Sequence, residues 1–206
     1  MPPTAPRLEL SSPADLLAAI PYLLGFHPAD SLVLVGIRDR HVAVTFRVDL
    51  PPPGDATDAL IGYLLDVLGR PRRRHRRIRL VLVGYGQPGR VEPFVAAVRA
   101  AFAAHDLPVL DALRVTGDHF WPLTDPPPAG DGRPFSLDSP VAAAATVAGM
   151  VALPDRAELT SRVAPVEGPA RVAMERATHQ AEVRWGDLLT GSADLTEAHD
   201  RVLAAG

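Results

Sequence analysis

The sequence predicts an α/β fold: a mixed β-sheet flanked by helices, followed by a helical C-terminal segment. Three patterns carry that expectation. "SLVLVGI" and "IRLVLVGYG" are unbroken apolar runs of strand length, suited to burial on both faces of a sheet. "HVAVTFRVDL" alternates instead, with Val42, Val44, Phe46, Val48 and Leu50 set against His41, Thr45, Arg47 and Asp49, the period of a strand with one wet face. From Ile78 to Thr116, strand-like and helix-like stretches take turns, the arrangement that builds parallel crossovers.

In chain order, the first element is a helix. Ser12 is a natural N-cap, Pro13 suits the first helical position, and Asp15 puts a carboxylate in the first turn. Leu16, Leu17, Ile20, Leu23 and Leu24 recur at one-face spacing, Pro21 is expected to kink the helix, and Gly25 fits just past its end. Such a helix is about a dozen residues, short of the ~20 that a bilayer span needs, so the apolar stretch from Asp15 to Gly36 is expected to be core and not an anchor. "FHPAD" is the turn into the first strand, and the alternating strand after "RDR" is its antiparallel partner. A proline loop leads to a helix starting near Asp55. The strand "IRLVLVGYG", the helix "VEPFVAAVRAAFAAH" and the strand "PVLDALRV" follow, and "TGDHFWPL" turns back as a hairpin through Gly117 and Asp118.

The run "PLTDPPPAGDGRP" is too rich in Pro and Gly for regular structure. Beyond it "SPVAAAATVAGMVA", "PDRAELTSRVAP" and "GPARVAMERATHQAEVRWGDLLTG" read as helices, and "SADLTEAHDRVLAAG" as the start of another. The expected organisation is a sheet region over residues 1–124, a loop over 125–135, and a helical segment over 136–206 packing on the same domain, in a chain cut within a longer natural sequence.

Composition excludes more chemistry than it suggests. All 21 basic residues are Arg, and the 206-residue chain has no Lys, Asn or Cys, the imprint of a GC-rich genome. No lysine means no Schiff-base amine and no P-loop lysine; no cysteine means no thiolate nucleophile, disulfide or cysteine-ligated metal. The formal charge of −3 gives no general attraction to nucleic acid or membrane. "MPPTAPRLEL" lacks the apolar core of a secretory signal, so a cytoplasmic location is expected, with which the lack of Cys is compatible.

Several clusters are candidates for a site. "GYGQPG", with Gly84, Tyr85, Gly86 and Gly89, matches G-x-G-x-x-G between a strand and a helix and marks the edge of a ligand pocket at the carboxyl end of that strand. Pro88 removes an amide from it, and Asp106 and Asp111 are misplaced for a ribose partner, so no dinucleotide or other cofactor is expected. His27 and Asp30, with Pro28 between them, are candidate acid or base groups on the loop before a strand, although a histidine there commonly bonds local backbone. Arg47 and Asp49 share one face of their strand and could hold an anionic ligand or simply pair.

The Arg70–Arg79 run, with Arg72, Arg73, Arg74, Arg76 and Arg77, could contact a polyanion; without a recognition helix or stacking aromatics, a solvated loop is the better reading and nucleic acid is not an expected partner. Glu175, His179 and Glu182 share a helix face at metal-like spacing that surface helices also carry by chance, and no metal is expected. Phe120 and Trp121 either close over a pocket or pack in the core.

"DLLAAIPYLLGFHPADSLVLVG", joined to "RVDLP", "LVGYG" and the later "PVAAAATVAGMVALPDRAELTSRVAP", resembles the domain of unknown function 4192, a family of high-GC Gram-positive bacteria. The likeness runs in order along nearly the whole chain and implies no activity. Family members commonly carry several cysteines after an aromatic segment; "HFWPLTDPPPAGDGRP" keeps the aromatic and proline character without any. The expectation is a non-catalytic cytosolic module binding a partner protein or small ligand. The alternatives are an enzyme acting on a nucleotide or other phosphorylated small molecule, and a nucleic-acid binder using Arg70–Arg79.

Overall fold

The computed structural model describes residues 10–38, 41–52, 55–69, 78–124 and 130–191. The elements in chain order are α1 (Pro13–Leu24), β1 (Ser31–Arg38), β2 (His41–Asp49), α2 (Asp55–Gly69), β3 (Arg79–Tyr85), α3 (Pro88–Ala104), β4 (Val109–Thr116), β5 (His119–Pro122), β6 (Arg133–Pro134), α4 (Pro140–Val147), α5 (Arg156–Arg162) and α6 (Gly168–Gly191). The strands form one sheet in the order β2-β1-β3-β4-β5-β6. Only β3 and β4 pair in parallel; the other neighbours are antiparallel, so the sheet is mixed, as the sequence predicts.

The pleat sorts the apolar runs into two layers. Leu32, Leu34, Leu80, Leu82 and Ala112 face one side, where Leu64 of α2 and Val91, Phe94, Val95, Val98 and Phe102 of α3 cover them. Val33, Val35, Val81, Val83, Leu113 and Val115 face the other, against Leu16, Leu17 and Ile20 of α1. Each fully buried aliphatic side chain contributes about 1.5–3 kcal/mol, which is why β1 and β3 carry no polar interruption. The α2 crossover joins β2 to β3, two strands of the same direction with β1 running against both between them.

The start of α1 follows its sequence signals: the Ser12 hydroxyl accepts from the Asp15 amide, and the Ser11 amide and hydroxyl both donate to the Asp15 carboxylate, holding its carboxyl below the usual range. Gly25 caps the other end at φ 83, where a Cβ would be strained. The one-face expectation for α1 is too narrow. Ala18, Ala19 and Pro21 are buried as well, because α4, with buried Val141, Ala142 and Ala145, packs against the helix. Among the described residues no helix is long and apolar enough to cross a membrane.

Two expectations need correction. The stretch after the prolines is not wholly irregular, since Arg133 and Pro134 pair with Phe120 and His119 as the short edge strand β6. Close packing on Trp121 explains it: a Cβ on Gly132 would lie 2.5 Å from the indole, and the indole N–H donates to Gly130 O at 3.2 Å. The helix expected over residues 139–152 stops at Val147, and Leu153 instead forms a parallel bridge with Phe26. The chain divides into two compact units, Met1–Ser161 and Arg162–Gly206. The first holds the sheet and α1–α4. The second holds α6, on which Arg171 and Glu175 pair one turn apart at 2.8 Å.

Helix α3 lies so close to β3 that a Cβ at Gly84 would sit 2.2 Å from Cγ1 of Val91, itself fully buried. Gly84→Ala is therefore expected to lower stability by about 1–3 kcal/mol, the usual range for overpacking. In urea unfolding, the double variant Gly84→Ala/Val91→Ala should lose clearly less than the sum of the two single losses, because each change relieves the other.

Candidate functional site

The carboxyl ends of the parallel pair β3 and β4 open beside the loop between α1 and β1, and a cavity of about 400 Å³ lies there. Its wall gathers His27, Pro28, Ala29 and Asp30 from that loop and Tyr85, Gly86 and Gln87 from the end of β3. Val115, Thr116 and Gly117 from the end of β4, Leu17 and Pro21 of α1, and Phe135 and Leu137 beyond β6 complete it. Ligands of open α/β sheets collect at this end of the strands, and the volume falls within the roughly 300–1,000 Å³ of small-molecule sites.

The α1–β1 loop is pinned from four directions. The Leu153 amide donates to Gly25 O and the His27 amide to Leu153 O, at 2.8 and 2.9 Å. Arg47 Nη2 donates to Ala29 O, and the Leu50 amide to Asp30 O. From α3, Arg90 reaches both the Asp30 carboxylate at 3.1 Å and Leu50 O at 3.2 Å. Asp30 itself has φ 41, in the left-handed region that aspartate tolerates better than most residues.

At the opposite wall most polar groups are already engaged. The Gly86 amide donates to Val115 O and Gly86 O accepts from the Thr116 hydroxyl at 2.7 Å. Thr116 in turn accepts from Arg114, which is paired with Glu92 and stacked over Trp121 at 3.8 Å. The amides of Arg90 and Val91 both point to Gln87 O. The Gln87 side chain makes no cap bond to α3, and Tyr85 is a different case. Its hydroxyl is buried with no hydrogen-bond partner among the described residues, and burial pushes the phenol above its ordinary range, so it stays protonated.

The sequence-level candidates therefore separate. His27, Asp30, Tyr85 and Gly86 line one cavity. Gly84 packs against α3, and Gly89 has open space around its Cα on the exposed first turn of that helix. Arg47 and Asp49 pair with each other at 2.7 Å and line a different hollow with Phe26 and Leu60, where Arg156 also bonds Asp49. Phe120 points into the α1-side core while its neighbour Trp121 pairs with Arg114 on the other face, and neither lines the cavity. Arg72, Arg73, Arg74, Arg76 and Arg77 lie outside the described residues. Among the described residues no three His, Asp or Glu side chains are placed to share a metal ion.

Sequence reasoning missed Thr116, Phe135 and Leu137, although the Gly117–Asp118 hairpin signal already put Thr116 at the end of β4. It also missed Arg90, for which no motif gave a signal. A larger, more open groove of about 870 Å³ runs along α3, but it is a helix–strand seam lined by Ala96, Ala100 and Ala103. Its Arg99 is committed to Leu123 O.

The chain matches the model of the family described as Domain of unknown function (DUF4192) over residues 13–206, and it belongs to that family. No curated protein and no solved structure matches it.

The left-handed Asp30 and its exposed bond to Arg90 contribute unequally. Asp30→Asn, which keeps a residue suited to this conformation, is expected to cost under about 1 kcal/mol, the range of a surface ion pair. Asp30→Ala adds the strain of a Cβ without a compensating side chain, about 1–2 kcal/mol more. Urea unfolding of the two variants measures the difference; equal losses would mean that the backbone conformation is not the constraint.

Proposed function

We propose that the protein is a non-catalytic cytosolic binding module whose ligand is a small molecule held in the cavity at the ends of β3 and β4. The observation that carries this reading is a cavity of ligand size at the carboxyl ends of β3 and β4, walled by α1, the loop before β1 and the ends of both strands. The pinned α1–β1 loop supports the same reading, since a wall held by several independent bonds is in place before the ligand arrives.

The competing reading is an enzyme acting on a nucleotide or another phosphorylated small molecule, with His27 or Asp30 as acid or base. It draws on both residues sharing the cavity wall. Against it stand the Gly86 amide, which is committed to Val115 O, the lack of an amide on Pro88, and the hold of Arg90 on Asp30.

A thermal-shift screen of nucleotides and uncharged metabolites separates a real site from a passive hollow. At least one compound is expected to raise Tm, because a ligand at a hundredfold excess over Kd stabilises by about 2.7 kcal/mol. Ala29→Trp, which crowds the cavity from an exposed position, should abolish that rise. Tyr85→Phe, which removes a buried hydroxyl without a partner, should leave the unliganded Tm unchanged or higher. A screen with no active compound, or shifts that persist in Ala29→Trp, would overturn the proposal.

A further inference from the structure

We infer that the protein forms a symmetric dimer in which the outer edge of β2 pairs antiparallel with the β2 edge of a second copy, with Phe46 on the dyad and α2 packed on its counterpart. The cavity takes no part in it. Strand β2 ends the sheet, and among the described residues no strand pairs with its free side. The Leu50 amide donates back to Asp30 O, so along this antiparallel ladder Phe46 and Val48 also turn their backbone groups towards β1, while Thr45, Arg47 and Asp49 turn theirs outward. Outward amides on a long edge recruit another strand unless prolines, bulges or charges blunt it. No proline lies within β2, its bulge opposite Gly36 and Ile37 blunts only the hairpin end, and Arg47 and Asp49 neutralise each other at 2.7 Å.

Helix α2 extends the same surface. Leu64 turns into the core, whereas Leu60 lines the hollow beside Val48 and Asp49 and so marks the flank of α2 that faces the β2 edge. Ala56, Tyr63 and Val67 share that flank with Leu60 at i, i+4, i+7 and i+11, and none of the four carries a charge. Tyr63 is 59% and Val67 45% exposed, and on β2 Val44 is 38% exposed. The helix covers Leu32 and Leu34 of β1 together with Phe46 and Val48 of β2. With strands about 4.8 Å apart, pairing two β2 edges sets the two α2 helices about 10 Å apart on one face of a continuous sheet, which is helix-packing distance. A second copy fits this surface better than a lone extended peptide, which would leave Tyr63 and Val67 uncovered.

The sequence of β2 also selects the register. Only pairings that set outward residues opposite outward residues complete the ladder. Centring on Thr45 brings the bulge opposite Arg47, centring on Arg47 opposes two guanidinium groups, and centring on Val48 sets Pro51, which has no amide, opposite Thr45. Centring on Phe46 avoids all three. It places Thr45 opposite Arg47 and Val44 opposite Val48 on either side of the dyad, and the two Phe46 rings meet beneath the paired helices.

Sedimentation equilibrium of the full chain is expected to give the mass of two chains at micromolar concentration, dissociating on dilution. Thr45→Pro removes an outward amide that no bond to β1 uses, and should weaken the dimer at least about tenfold while leaving the far-UV circular dichroism unchanged. Tyr63→Arg, at an exposed position, should weaken it too by opposing two cations on the helix seam, and it decides the matter if the proline variant does not fold. Because the chain has no Cys, single cysteines read the register: under mild oxidation Phe46→Cys should link two chains and Asp49→Cys should not. A chain that stays monomeric at every concentration, a dimer that both substitutions leave intact, or linkage through Asp49→Cys in place of Phe46→Cys would overturn the inference.

Discussion

The structure depends on how the chain enters β1. That strand pairs on both edges, with β2 and β3, and from Ser31 to Gly36 every residue is buried, so its register and its facing must be right before either layer of the core can close. The six residues from Gly25 to Asp30 impose both. Gly25 ends α1 with a left-handed residue and Asp30 starts the strand with another, while Leu153, Arg47, Leu50 and Arg90 bond the backbone or side chain in between. No single one of these bonds is strong; an exposed ion pair such as Arg90–Asp30 contributes about 0–1 kcal/mol. Their effect is to make the turn the meeting point of α1, β2, α3 and the chain beyond α4. The cavity wall and the fold thus rest on the same supports, and the wall is held without any device of its own.

Local chemistry made much of this architecture legible in the sequence. The Ser12–Pro13–Asp15 start, the Gly25 stop and the two-residue hairpin turn at Gly117 and Asp118 are decided by groups within a few residues of one another, and each is found where those groups put it. The failures came where distant parts of the chain decide. That α1 is buried on more than one face follows from α4, more than a hundred residues later, and the pairing of β6 follows from a glycine that lets the chain lie against Trp121. Composition alone described that last stretch as irregular because it counts prolines and cannot see the indole.

The candidate site divides along the same line. His27 and Asp30 could be placed beside Tyr85 and Gly86 because a loop feeding β1 and a loop leaving an antiparallel neighbour must emerge at one end of the sheet. Arg47 could not be excluded from that group by pattern. It sits on the same end of the sheet but on the far side of β1, where its guanidinium touches the back of the loop through Ala29 O. Arg90 was invisible for a different reason: an arginine on the first turn of a helix is ordinary in sequence, and only the fold brings it across to Asp30.

The glycine pattern shows why a motif is not yet a chemistry. In "GYGQPG" the spacing fits a phosphate loop, and a strand and a helix flank it as such a loop requires. What a phosphate needs, however, is not glycine but unspent amides pointing at one place. Here Gly84 is small because α3 presses on β3, the Gly86 amide closes onto β4, and Pro88 has no amide to give. The Gln87 side chain stands beside the cavity, and the phenol between the first two glycines is closed away from it, buried without a partner. The six residues that look like one anion cradle in sequence therefore divide once folded: Tyr85, Gly86 and Gln87 line the cavity, while Gly84 packs under α3 and Gly89 lies on its exposed first turn.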